Sequence, residues 1–414
     1  MQVLSKNPLF RLFIVATLWF FTLSFLLQFF NQTYYFPDSL SYLVSAKQLY
    51  LENTVNAQRP FLFSILNGFP LLFSNSDAII FRFNFGLNIL AWYATIVLVY
   101  KIVSKIILPK TAFFFTIGYI FSVGSVAICF HFLTEPIFTF LLVWMFYYLQ
   151  KFEHSKQIKY LIFAFSILLI SLLIKPILQF FVLLFLLFYV QNVFDLLKSK
   201  WIFFLVLPIF FIFFQMYSMQ KTYGRFTLTY IDTITYYNYL GTRAENLRLE
   251  ENYDFKNVDR EIFFDKLNYE QQKVAMSDDI RFQLKTNKIN LVKAYFINIY
   301  SNSIKGSASI HAFKNQKNTS YFEFFWFLFK GISKIQNILF TILGIVISVY
   351  SLLQWKRSSN FIKINSFTVL YIFVISGISS DQGDRLHLVF YPLVVFLIAN
   401  YFYPIKSFFV QLQK

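Results

Sequence analysis

The chain has 414 residues, of which 57% are hydrophobic and only 14% charged, and its mean hydropathy is +0.55. An ordinary soluble domain is about a quarter charged, so that class is excluded, and apolar runs near twenty residues recur along the chain. A formal net charge of +17 would point to nucleic acid in a soluble protein, but here Lys and Arg flank the apolar runs and read as topology signals, so no nucleic-acid partner is expected.

The first element begins after Lys6 and Arg11 and runs from Leu12 to Phe30. It is too long for a signal peptide and no small-residue cleavage site follows, so it reads as a retained first helix. Apolar runs at 12–31, 83–104, 111–131, 135–151, 160–174, 177–195, 201–219, 336–355, 364–380 and 387–403 predict about ten transmembrane helices. The single cysteine, Cys129, sits in one of these runs, which leaves no internal disulfide and no thiolate metal site. With the N-terminus in the cytoplasm, the inner segments collect Lys101, Lys105, Lys110, Lys151, Lys156, Lys159, Lys198, Lys200, Lys356, Arg357, Lys363, Lys406 and Lys414. The short outer connections hold few cations, among them Lys47, Arg59, Arg82, Lys175 and Arg385, which places both termini inside. Abundant Phe, Ile, Asn and Lys suggests a low-GC genome, hence a bacterial inner membrane.

Two stretches depart from the span-and-loop pattern. The first outer loop, about 32–82, is too long for a connector. It contains Tyr34-Tyr35-Phe36-Pro37-Asp38-Ser39 and then two apolar helices, Leu40 to Leu51 and Phe61 to Phe73, too short to span and expected to lie at the interface. Asp38 would sit at the start of the first, where it or Ser39 could simply cap the helix. The second stretch, about 216–325, holds 12 of the 20 acidic residues and 15 Lys or Arg, and lies outside as a nearly neutral insert. Ser277 followed by Asp278 and Asp279 reads there as a helix start. Ile280, Leu284, Asn287, Leu291 and Tyr295 follow at helical spacing, which predicts an amphipathic helix to about Tyr300, at the bilayer surface. The chain thus divides into an N-terminal transmembrane module (1–219), an extracytoplasmic insert (220–325) and C-terminal transmembrane helices (326–414).

Outside the insert only eight acids remain, and six of them, Asp38, Glu52, Asp77, Glu135, Asp381 and Asp384, fall at the outer face. Charge at membrane depth is kept for use. Bland roles exist for the neighbouring cations: Arg59 can snorkel to headgroups, Lys175 can pair with Glu135, and Arg385 can pair with Asp381 or Asp384. His131 and His387 lie near the same face as interfacial polar residues. His131 and Glu135 have helical spacing for a shared metal, although Pro136 breaks that geometry. Tyr34-Tyr35 and Tyr236-Tyr237 read as interface-belt aromatics. No glycine-rich phosphate loop and no nucleotide fingerprint is present, which argues against a nucleotide ligand.

Asp38-Ser39-Leu40-Ser41-Tyr42 with Ala46 and Leu49, then Arg59-Pro60-Phe61-Leu62, resembles the first outer loop of GT-C superfamily glycosyltransferases, the polyprenyl-phosphate-sugar-dependent enzymes related to protein mannosyltransferases and aminoarabinose transferases. Thr134-Glu135-Pro136, Lys175-Pro176 and Gly383-Asp384-Arg385 with Tyr391-Pro392 resemble further pieces of that pattern, in order. The resemblance covers most of the chain. Many members carry an Asp-Glu pair in the first loop; here the first acid matches and Ser39 replaces the second. The resemblance implies an all-α, GT-C-like bundle of about ten transmembrane helices with interfacial helices and a mostly helical insert. It implies a sugar donor on polyprenyl phosphate, an acceptor that is a glycan, lipid or protein, and Asp38 as the general base. Arg59, Lys175 and Arg385 would hold the donor phosphate, with Tyr42, Glu135, His131, Asp384 and His387 as further pocket candidates. No resident cofactor is required; a divalent metal ion is compatible. Two other classes compete. An O-antigen-type polymerase or ligase should have arginine-rich outer loops. A polysaccharide or lipid transporter should have paired halves and mid-membrane charges, which this chain lacks.

Overall fold

The computed structural model describes residues 7–31, 36–251, 258–311 and 320–412. Lys6, Tyr34, Tyr35 and Lys414 lie outside the described residues. Among the described residues every regular element is helical, and each apolar run of the sequence falls on helix. Five helices among the described residues are long and apolar enough to cross a membrane: Pro8–Leu26, Asp77–Ile106, Lys200–Tyr223, Tyr321–Leu353 and Asn360–Ile378. Two bent pairs raise the number to seven if each is one span. Pro109–Ile120 and Val123–Phe130 meet at 62°, and Ile158–Leu172 and Pro176–Phe188 meet at 120°. These lengths and compositions suit a multi-pass membrane protein. Ten spans would require Glu135–Ser155, both arms of the 120° bend and the short Leu388–Phe402 helix to cross as well. Glu135–Ser155 carries Gln150, Lys151, Glu153 and His154 in its last turns, which lowers its hydropathy.

Burial divides the helices by role. Glu135–Ser155 is the central element, packed against Asp77–Ile106 and Ile158–Leu172, with Phe138, Val143, Met145, Phe146 and Leu149 fully enclosed. Lys200–Tyr223 is peripheral: Phe203, Phe210, Phe213 and Phe214 face outward. Such a surface is stable only against acyl chains or other apolar partners.

The loop at 32–82 forms the two short helices expected of it, Pro37–Leu51 and Phe61–Gly68, the latter continued by the 3-10 turn Phe69–Leu72. Ser45 and Ser64 share a 2.6 Å hydrogen bond between them. The loop's exit docks on the helix Lys200–Tyr223 and the segment that follows it: Gln215 Oε1 accepts from the backbone of Phe61 (3.1 Å), and the backbone N–H of Tyr230 donates to Ala57 O (2.8 Å).

The insert departs from the sequence expectation in two places. The helix expected to begin at Ser277 begins at Tyr269 and runs to Thr286. Asn268 and Gln271 form a reciprocal capping box there, satisfying two orphan N–H groups at once, and so outcompete Ser277 as the start. Ser277 is mid-helix, and Asp279 pairs with Arg260 at 3.0 Å instead of serving the dipole. The chain then breaks at Asn287 and resumes as Lys288–Ile304. Tyr236 and Tyr237 are not belt aromatics either. Both are buried in the insert's own core, with the Tyr237 ring stacked on Phe264 at 4.4 Å and under the Arg260 guanidinium at 4.1 Å.

Candidate functional site

Five charged side chains from four distant stretches of sequence meet at one place. Asp38 lies in the first turn of Pro37–Leu51. That helix has Phe36 at its N-cap and Pro37 at its first position, and no side chain caps it, so Asp38 does not act as a cap. Arg59 reaches it from the following segment, where Asn56 Oδ1 accepts from the backbone N–H groups of Gln58 and Arg59 at 2.9 and 3.0 Å. The buried Arg59 guanidinium donates to Ser41 Oγ (3.0 Å), Tyr42 OH (3.1 Å) and Asp38 Oδ1 (3.1 Å). It also lies 4.2 Å over the Tyr42 ring. Arg59 does not snorkel.

Glu135 opens the central helix, with Pro136 next and Thr134 before it. Its side chain is 1% exposed. Lys175, at the 120° reversal just before Pro176, donates to Glu135 Oε1 at 2.7 Å. Arg385 comes from the 3-10 turn Gly383–Leu386. Its Nε donates to Glu135 and its Nη1 to Asp38 Oδ2 at 2.5 Å, with a further bond to Gln382 Oε1 at 3.3 Å. The partners of Arg385 are therefore Asp38 and Glu135, not Asp381 or Asp384. Asp381 pairs with Lys305 and, at 3.6 Å, with Arg243. Two carboxylates (−2) and three cations (+3) leave the cluster at +1.

The Asp38 side chain keeps 34% of its surface exposed, the most of any member of the cluster. Burial alone would raise the Asp38 carboxyl. The Arg385 and Arg59 guanidiniums overcome that and hold it well below the usual carboxylate range. Asp384 has the opposite environment. It is buried with no cation beside it among the described residues, and the backbone N–H groups of Ala308 and Asp384 itself favour its charge too little to offset burial, which pushes it up to about 7. Its Oδ1 has no hydrogen-bond partner among the described residues, and its other oxygen faces Gly124, where a Cβ would collide with it.

Of the sequence candidates, Asp38, Tyr42, Arg59, Glu135, Lys175 and Arg385 come together. His131 stands beside the cluster through Phe36, ring edge to face at 5.6 Å, but its Nε2–H donates to Ser309 O at 3.0 Å and ties the insert's end to the bundle. His387 is apart: it is fully buried, with Nδ1 at 2.9 Å from Thr341 Oγ1 and 3.1 Å from Asn337 Oδ1. Asp384 turns away from Arg385. Sequence reasoning missed Gln382, which binds Arg385, and Tyr239. Burial pushes the Tyr239 phenol up and the Asp38 charge adds to this, so the insert contributes a side chain to the rim. Gln382 adjoins the Gly383-Asp384-Arg385 motif and could have been flagged; nothing local marks Tyr239. Asn302 was also missed. Its amide donates to Ser376 O (3.0 Å) and Ser379 O (2.9 Å) and accepts from the backbone of Gln382 (3.2 Å), and so fixes the turn that carries Arg385.

A resident metal does not fit this cluster. Among the described residues no three His, Cys, Asp or Glu are grouped to hold one, and the Asp38 and Glu135 carboxylates are already bonded to guanidinium and ammonium groups. The chain was compared with family models, curated proteins and solved structures, and none of the three comparisons finds a match.

Proposed function

We propose that the chain is a GT-C-like membrane glycosyltransferase that moves a sugar from a polyprenyl-phosphate donor to a glycan, lipid or protein acceptor at the outer face of a bacterial inner membrane. In this reading about ten helices cross, with both termini cytoplasmic, and the 120° reversal at Lys175 is the outer end of a short helical hairpin. One observation carries it: the acid and the three cations that the resemblance singles out, far apart in sequence, converge in one cluster in which Asp38 is the most exposed member. Transfer of this kind needs a base for the acceptor hydroxyl and fixed positive charge for the departing phosphate. Both are present side by side.

The pairing also constrains the mechanism. Without substrate, Asp38 is a weak base, because two guanidiniums stabilise its charged form. A donor phosphate arriving at Arg385, Arg59 and Lys175 competes with Asp38 for the two guanidiniums, and Asp38 regains basicity as these turn to the phosphate. The acceptor O–H then gives its proton to Asp38 while its oxygen bonds to the anomeric carbon. The bond from that carbon to the phosphate oxygen breaks, and polyprenyl phosphate leaves as an anion beside Arg385 and Lys175. The test uses purified Asp38→Asn in lipid vesicles with radiolabelled polyprenyl-phosphate sugars. Transfer should fall by at least 100-fold, a loss within the range for a general base. Transfer by Asp38→Asn at the native rate would remove Asp38 from the chemistry.

A further inference from the structure

The insert helix Lys288–Ile304 is inside out for a helix in water. Its inward face carries Ala294, Asn298 and Asn302, all fully buried. The two Asn amide nitrogens donate to carbonyls of the turn after Asn360–Ile375: Asn298 to Gly377 O at 3.0 Å and Asn302 to Ser376 O and Ser379 O, while Asn298 Oδ1 has no hydrogen-bond partner among the described residues. The outward face carries Ile289, Val292, Phe296 and Tyr300, which are 66%, 54%, 62% and 65% exposed. At 100° per residue these four fall within about 80° of one another, opposite the buried Asn residues. A helix in water buries its apolar stripe and exposes its polar one. This one does the reverse, and an apolar stripe of that kind marks an interaction surface.

We infer that this face is seated in the outer leaflet of the bilayer, so that the insert is a membrane-embedded part of the protein rather than a domain in water. Three observations favour lipid over a protein partner. The helix that bears the stripe docks on the end of a helix long and apolar enough to cross a membrane: Tyr295 OH donates to Val374 O at 2.7 Å, and Val374 itself is half exposed near the end of Asn360–Ile378. The Tyr295 ring also packs so closely on Gly377 that no Cβ would fit there, which fixes the helix against that end of the span. Lys288 and Lys293 border or interrupt the stripe, both exposed, where long cationic side chains can reach phosphate headgroups from a helix lying in the interface. Because Asn302 of the same helix holds the turn of Arg385, seating in lipid also sets the height of the charged cluster relative to the leaflet.

The inference stands without the proposed transfer reaction and is tested without it. Full-length protein in phosphatidylglycerol-containing nanodiscs is spin-labelled at Ile289→Cys, Phe296→Cys or Tyr300→Cys, with Asp278→Cys as a control on the preceding helix. The native Cys129 is buried, and unsubstituted protein gives the background. Collision with oxygen should exceed collision with a water-soluble nickel chelate at 289, 296 and 300, and the order should reverse at 278. Nickel-dominated collision at the three stripe positions overturns the inference. So does protection from both reagents with dipolar broadening, which would place a second copy of the chain on this face.

Discussion

Replacing Glu135 by Gln keeps the shape of the side chain and removes one negative charge from a buried cluster. Before the change two acids face three cations, at +1; afterwards one acid faces three, at +2. Lys175 loses its acidic partner and Arg385 keeps only Asp38, while both side chains remain largely enclosed, at 15% and 6% exposure. Removing one partner of a buried pair costs about 3–5 kcal/mol, because the remaining charge is left uncompensated. With an unfolding entropy of about 2.1 cal/mol/K per residue over 414 residues, or about 0.9 kcal/mol/K, the expected drop in Tm is about 3–6 °C. Thermal unfolding in detergent, followed by intrinsic fluorescence, reads it. The double variant Glu135→Gln with Lys175→Met returns the cluster to +1 and should recover at least half of the loss. A single variant that melts within about 1 °C of the native protein would show that these charges are hydrated and not a desolvated network.

Asp384 supplies a pH test. Its carboxyl sits near 7 when folded, against an ordinary value of 3.8, so between those values the folded state binds a proton the unfolded state has lost. Stability from this residue is therefore full below about pH 4 and falls as pH rises towards 7; Asp384→Asn should flatten that slope in a series of melts from pH 4 to 8. Gly124→Ala would push a methyl into the Asp384 carboxyl and to 2.9 Å from Leu388 Cδ2. Overpacking of this kind costs about 1–3 kcal/mol. The variant should melt lower than native, and an unchanged Tm would mean that the turn bearing Arg385 is free to move.

Composition and periodicity alone determined the helical, apolar character of the chain. They also located the two short helices between residues 32 and 82 and gave each short motif its local form. Thr134-Glu135-Pro136 does open a helix, Lys175-Pro176 does sit at a reversal, and Gly383-Asp384-Arg385 does form a turn, because proline and glycine act on the backbone within a few residues. Partner choice was not legible. Arg385 could have paired with either neighbouring acid, Asp381 or Asp384; tertiary packing gave Asp381 to Lys305 and Arg243 and sent Arg385 to Asp38, 347 residues away. The insert's helix start was misplaced for a related reason, since Ser277 and Asn268 are both good caps and the reciprocal bond of Gln271 decided between them. Local backbone preferences are written in adjacent residues, whereas the energy of a buried charge depends on what else is desolvated with it, and only the folded chain brings those groups together.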